Sequence, residues 1–400
     1  MKDRLLVAFV AVIFSATSSP AWASGNEISI EGSALLMGRA GAGRATDDST
    51  AAIAFYNPAG MSQLQGLNVS LGATYFAMHG DAAMTTNIGG SQAGVDYLPH
   101  ALAAMNAVTM SLDDGWSVGF SLAPTYGFTV DYQPSFPGAV FTSYTRTTSL
   151  AMQPAASYAL TDWLSVGAGP VIELSHLETK ASLPFGQFDR LYDWNAAAGF
   201  VIGVELHATP STVVGVTYRS EIDHDFSGTR KGFLSSPSSV EVDNPPLVDL
   251  GIRQTVLPGV RVYGDALWLG WSAIDQTVFV EPQAGTTVVP RHWDDGATFA
   301  LGADYDVTEA LTARAGVSYS TGFIQDQDRF PDAPFDRQWR YSLGLTYHWS
   351  ADLSVDLAYE YADLGPNRVA ISPATTGGVS AVGSLPATAN VVALQLNFKL

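Results

Sequence analysis

The chain has 400 residues, no cysteine, and 38 acidic against 19 basic residues, for a formal net charge of −19. That balance argues against nucleic acid as a partner, because affinity for phosphate needs clustered Lys and Arg. Without cysteine there is no disulfide framework and no thiolate metal site. Only 14% of residues are charged, while glycine numbers 38 and aromatics make up 11%, against an average usage of about 25% charged in soluble domains.

In chain order, residues 1–23 come first. Lys2 and Arg4, an apolar run from Leu5 to Phe14 and the small-x-small site Ala21-Trp22-Ala23 predict a secretory signal peptide. The mature chain is then expected to begin near Ser24, outside the cytoplasm. No later stretch supplies the roughly 18 uninterrupted apolar residues of a spanning helix.

Residues 24–65 are rich in Gly and Ala, and Gly38–Gly60 reads GRAGAGRATDDSTAAIAFYNPAG. Its first eight residues approach a P-loop. Arg44 stands where a lysine would reach the phosphates, however, and Ala45 where a hydroxyl would hold magnesium, so the stretch does not support nucleotide binding. The segment is too short for a core of its own. It is expected to plug the interior of the domain that follows; a flexible terminal tail is the alternative.

From residue 66 to 400 the dominant signal is period two. Leu67, Val69, Leu71, Ala73 and Tyr75 alternate with other residues in one run, and Trp339, Tyr341, Leu343, Leu345, Tyr347 and Trp349 do so in another. Such alternation marks strands with two unlike faces, and runs of about ten residues match tilted strands crossing an outer membrane. A polar turn followed by a strand start recurs six times, with Val118, Val166, Val214 and Val262 at equivalent positions. Seven longer segments (79–95, 129–142, 178–190, 227–242, 281–290, 325–336 and 365–386) separate the strands at the other end. Six turns and seven loops predict fourteen strands.

The predicted fold is therefore an all-β, 14-stranded antiparallel transmembrane barrel over 66–400, with 24–65 as a plug in its lumen. A propeller with blades of about 50 residues is the competing reading. The charges speak against it, since Glu173, Glu205, Arg219, Asp249, Arg253, Arg261, Asp265, Asp304, Arg314, Arg340, Asp356, Glu360 and Lys399 all share the phase opposite the apolar set. A bilayer enforces this segregation, because a basic residue facing lipid at the midplane costs about 2–4 kcal/mol. Many glycines share the inward phase and leave interior space. Trp116, Trp163, Tyr347 and Trp349 lie beside short turns, where an aromatic girdle would sit, and the last strand alternates up to Leu400.

The plug stretch, with Asn57-Pro58-Ala59 directly after a signal peptide and before about fourteen alternating strands, resembles the FadL family of outer-membrane transporters for long-chain fatty acids and other hydrophobic molecules. The chain departs from outer-membrane barrels in ending on Leu400 rather than an aromatic residue. The resemblance implies that Asn57, Pro58 and Ala59 belong to a hatch closing the lumen. It also implies capture by apolar outer loops, here Leu183, Phe185, Phe188 and Leu191 in the third and Phe233 and Leu234 in the fourth, unless these form a folded-over loop core. It implies lateral exit where the third strand kinks: Pro124 cannot donate to a ladder, Gly127 permits a bulge, and Tyr126 lies between them, so the wall is expected to open near Pro124.

For a carboxylate cargo, Arg219, Arg253 or Arg261 could hold the head group; pairing with Asp249 or Asp265 is the alternative. The expected partners are hydrophobic small molecules (fatty acids, hydrocarbons), outer-membrane lipids and the barrel assembly machinery, acting on a monomer in the bacterial outer membrane. No cofactor and no metal is expected; Asp326 and Asp328 lack the glycine and glutamate of an EF-hand loop. The rival functions are a water-filled porin, opposed by inward Leu267, Leu269 and Trp271, and an outer-membrane lipid-ester hydrolase, for which neither a Gly-x-Ser-x-Gly elbow nor a His-x-x-x-His pair is present.

Overall fold

The computed structural model describes residues 32–183, 186–231, 235–281 and 285–400; the expected leader lies outside them. Among these residues fourteen strands close into one barrel. They are β1 (Leu67–Gly80), β2 (Ala101–Ser111), β3 (Trp116–Asp131), β4 (Tyr144–Thr161), β5 (Leu164–Leu183), β6 (Gly186–Thr209), β7 (Thr212–Arg219), β8 (Leu247–Leu257), β9 (Val260–Leu269), β10 (Gly296–Thr308), β11 (Leu311–Ser320), β12 (Gln338–Ser350), β13 (Leu353–Asp363) and β14 (Ala387–Lys399). Each pairs antiparallel with its chain neighbours. β14 closes on β1, with Phe398 opposite Val69 and Val392 opposite Tyr75, so the first and last strands leave no open end to the sheet.

Alternation is resolved as a lipid face and a lumenal face. On β12, Trp339, Tyr341, Leu343, Leu345, Tyr347 and Trp349 are all exposed, while Arg340, Ser342 and Thr346 between them are buried. The inward charges Glu173, Glu205, Asp265, Asp304, Asp356 and Glu360 are likewise buried. Trp116, Trp163, Tyr347 and Trp349 stand exposed beside the short turns, as a girdle requires.

The six short turns fall where the repeat places them, but the third long loop does not. β5 and β6 run on as paired strands, with Lys180 opposite Asp189 and Leu183 opposite Gly186, so 178–183 and 186–190 extend the wall instead of leaving it. Thr179, Tyr192 and Trp194 flank this tip, and such residues favour a pleated surface over a coil. Other long connections fold into two small four-stranded sheets at the same end. One orders Ile222–Arg230, Ser236–Asn244, Gln276–Glu281 and Gly285–Pro290; the other orders Arg368–Ile371, Ala381–Ser384, Ala82–Thr86 and Gly90–Val95.

Residues 32–61 are buried almost throughout and pack against inward-facing positions of the wall strands. Helix α1 (Ala34–Met37) packs Ala34 and Met37 on Ala358 and Ala362 of β13. It stops where Ala40 and Gly41 take left-handed backbone, at φ 53° and 87°. Farther on, the Arg39 carbonyl presses on Gly316 and the Ala45 carbonyl on Gly215, closer than any side chain there would allow. Helix α2 (Ile53–Tyr56) and a 3₁₀ turn (Pro58–Gln63) complete the segment.

Candidate functional site

Three neighbouring features make up the site: a break in the wall, an apolar cavity behind it, and the N-terminal segment beneath. The break is in β3. Its ladder to β2 runs from Ser111–Ser117 to Asn106–Leu122 and stops, although β2 continues to pair with β1 as far as Ala101. On the other side, Pro124 pairs with Leu150 and Gly127 with Thr148, so Thr125 and Tyr126 together oppose Ser149 alone. That is a bulge, which bends the strand, and Pro124 has no N–H with which to continue the lost ladder.

The bend carries Tyr126 across the lumen. Its hydroxyl donates to the Pro245 carbonyl at 3.2 Å, and its ring meets Trp271 edge-on at 5.8 Å between centroids. Trp271 stacks on Phe323 at 4.9 Å, in a cluster that also holds Leu247, Leu267, Leu269 and Phe335. Tyr126, Gly127 and Phe128 then form one wall of a cavity completed by Leu177, Val240, Phe279 and Trp293, enclosing about 980 Å³ of empty space, part of it open to solvent. Arg291 in its lining is satisfied by Asp332, at 2.6 and 2.9 Å.

The bulge is anchored by a buried carboxylate. Thr125 Oγ1 donates to Glu173 Oε2 at 2.5 Å. His224 Nε2 lies 2.9 Å from Glu173 Oε1, and Asn244 donates to the same oxygen. His224 and Asn244 belong to the outer hairpin (Ile222–Asn244), so one side chain connects wall, bulge and loop. Its inward phase was readable from the sequence; its role was not, because the partners lie 48 to 71 residues away.

Asn57, Pro58 and Ala59 sit against β5 and β6. The Asn57 amide donates to the Ala45 carbonyl at 2.7 Å and the Val204 carbonyl at 3.1 Å, while its oxygen accepts from Ala59 N at 3.1 Å. A Cβ on Gly167 would come within 2.5 Å of Ala59 N, and one on Gly203 would overlap Asn57 Oδ1. The motif is thus a plug-to-wall joint fitted into glycine-lined space.

The three arginines considered for a head group are all engaged by protein. Arg219 donates to the Phe55 carbonyl at 3.1 Å and to Gln153 at 2.8 Å. Arg253 donates twice to Asp48, at 2.5 and 2.9 Å, and Arg261 twice to Asp306, at 2.9 and 2.6 Å. The expected alternatives, Asp249 and Asp265, instead serve the plug: Asp249 pairs with Arg44 at 3.1 Å, and Asp265 accepts from Gly43 N at 2.5 Å. Arg253 and Arg261 line a second cavity on the short-turn side, with Asp47, Asp304, Asp306, Arg314 and His348. The outer cavity thus has an aromatic and aliphatic wall with Glu241, Asp243 and the Arg291–Asp332 pair at its margin, whereas the short-turn cavity is lined chiefly by charged residues.

Of the six apolar residues expected in capture loops, Phe185, Phe233 and Leu234 lie outside the described residues, as do the side chains of Leu183 and Phe188. Leu191 is a correction. Expected exposed, it is buried between Leu177, Phe226, Val240 and Phe279, because the outer hairpin folds over β5 and β6. Asp326 faces Arg329 at 2.8 Å and Asp328 faces His292 at 2.9 Å.

Comparison with known proteins agrees with this architecture. Outer membrane protein P1 of Haemophilus influenzae is 24% identical over 417 residues, covering 88% of this chain and 89% of that protein. The long-chain fatty acid transport protein of Escherichia coli K12 is 21% identical over 405 residues, covering 88% and 90%. The crystal structure of a Pseudomonas aeruginosa FadL homologue superposes with a TM-score of 0.85 at 19% identity, over 95% of this chain and all of that one. The Pseudomonas putida toluene transporter TodX gives 0.66 at 18%, over 88% and 95%. The family model described as outer membrane protein transport protein (OMPP1/FadL/TodX) matches residues 14–400, and the chain belongs to that family of bacterial outer-membrane transport proteins.

Proposed function

We propose that this protein carries hydrophobic molecules, long-chain fatty acids or hydrocarbons, through the outer membrane, releasing them sideways through the wall rather than straight down the lumen. The observation that carries the reading is the position of the apolar cavity directly behind the place where β3 leaves β2. Tyr126 and Gly127 belong to both. The relatives whose names state a cargo, a long-chain fatty acid and toluene, fit the same chemistry.

The energetics favour the lateral route. Removing apolar surface from water is worth roughly 25 cal/mol per Å², so a cargo held by Phe128, Trp271 and Phe279 keeps that gain on passing into lipid. It would forfeit the gain in the charged cavity around Asp304, Arg261 and Arg314. Residues 24–65 act as a hatch closing that direction, with Asn57, Pro58 and Ala59 as its wall joint. Cargo can move the hatch only by binding the moved state better. Arg219, through the Phe55 carbonyl, and Arg253, through Asp48, hold the hatch to the wall in the resting state, while Arg261 pairs with Asp306 within the wall. The protein acts as a transporter and not as an enzyme, and as a monomer inserted by the barrel assembly machinery among outer-membrane lipids.

The test is uptake of labelled oleate by cells lacking their own transporter. Cells making this protein should take up label faster, and deleting Tyr126, which removes the extra residue of the bulge, should abolish the increase with the barrel still folded in the membrane. Undiminished uptake by the deletion would refute lateral exit. No uptake by the unaltered protein would exclude long-chain acids and send the test to toluene.

A further inference from the structure

We propose that Asp48, Glu205 and His207 form a binding site for a divalent transition-metal ion of the zinc class, which clips the N-terminal segment to strand β6 at its short-turn end. Asp48 is on the segment, between α1 and α2; Glu205 and His207 are successive inward residues of β6 (i, i+2), so both face it. One ligand atom from each lies within 4.8 Å of the others. His207 Nε2 is 2.9 Å from Glu205 Oε1 and 3.8 Å from Asp48 Oδ2. Ligands at about 2.0–2.2 Å in a tetrahedral zinc site stand about 3.3 Å apart, so the observed pair of distances straddles the required spacing.

Two observations separate this cluster from an ordinary group of surface acids. Glu205 is completely buried; its Oε1 lies 2.9 Å from His207 Nε2, while its Oε2 has no hydrogen-bond partner among the described residues, which leaves that buried oxygen free to take a cation. The donor set is also mixed, one imidazole nitrogen with two carboxylates, which suits zinc and its neighbours over the all-oxygen sets of calcium. Arg253 occupies one lone pair on each Asp48 oxygen; a carboxylate has about four such positions, and the rest remain for a metal. Three protein ligands leave a fourth position for water.

The bland account is a fixed His207–Glu205 ion pair beside an Arg253–Asp48 pair, and it predicts no metal. The test uses the full chain without an affinity tag, in detergent, stripped with a chelator and dialysed against zinc. The expected result is one zinc per chain, bound about 10-fold or more weaker in His207→Gln, a residue partly exposed and so tolerant of change. X-ray absorption should show one nitrogen and two protein oxygens around the metal. Should His207→Gln fail to fold, Asp48→Asn serves in its place. Substoichiometric zinc in the unaltered protein, or equal affinity in the variant, overturns the proposal, and neither result bears on cargo transport.

Discussion

Thr125 Oγ1 lies 2.5 Å from Glu173 Oε2, which ties the β3 bulge to the wall strand next but one. Glu173→Ala should strand three buried donors, those of Thr125, His224 and Asn244. At roughly 1–3 kcal/mol for each unsatisfied group, the loss is large enough to relax the kink. The expected outcome is a lower urea midpoint in lipid vesicles and loss of cargo uptake. Glu173→Gln keeps an oxygen acceptor and should fall between the two. A midpoint unchanged in the alanine variant would show that the bulge holds without this anchor.

Gly203 faces Asn57 so closely that no β-carbon fits. Gly203→Val should therefore push the plug from the wall while leaving the barrel intact. Arg39 and Arg44 are buried in the native state, and displacement of the plug should make both accessible to trypsin. Gly264→Ala is the control, since the nearest atoms to its Cβ would be in the Leu301 and Ile252 side chains, at 3.5 and 3.6 Å, an ordinary van der Waals distance. Equal trypsin resistance in the two variants would mean that the plug does not depend on this contact.

The barrel was legible in the sequence because the bilayer imposes two unlike faces on each strand, and residues such as Leu343 and Arg340 record that constraint at neighbouring positions. The bulge between Pro124 and Gly127 was legible for a local reason, since proline and glycine limit pairing wherever they stand. Cross-lumen partners were not legible. Arg253 meets Asp48 and Asp249 meets Arg44 because of the path of the plug, and a plug stabilised by close backbone fit to Gly215 and Gly316 leaves no periodic trace. Leu191 was misread for a similar reason, as its cover comes from the distant outer hairpin.

That outer hairpin carries a pH dependence. Asp223 stands directly opposite Asp243, and Asp225 opposite Glu241, so like charges face one another across the strands. Burial, and then the charges of Asp223, Glu241, Glu221 and Asp225, push the Asp243 carboxyl up to about 6. A group raised on folding favours the protonated folded form. Its stabilising contribution is full below its ordinary value of about 3.8 and is lost as pH rises through about 6. Amide protection in Ile222–Asn244, corrected for intrinsic exchange, should be higher at pH 5 than at pH 7.5, and Asp243→Asn should flatten the difference. Protection that rises with pH would contradict this assignment.

Leu343 tests the membrane itself. It is 63% exposed near the middle of β12, between Ser342, which donates to Glu360 at 2.7 Å, and Gly344, which abuts Gly38 of the plug. In water an exposed leucine could become arginine at little cost. In a bilayer Leu343→Arg should lower folding stability by about 2–4 kcal/mol, while Tyr347→Arg, close to the short-turn end of the strand, should cost about 0–1 kcal/mol. Denaturant unfolding in vesicles measures both. A depth-dependent cost would place the exposed face of β12 in hydrocarbon, because no aqueous surface distinguishes two exposed positions four residues apart on one strand. Equal and small costs would remove the lipid from the argument and with it the sideways exit.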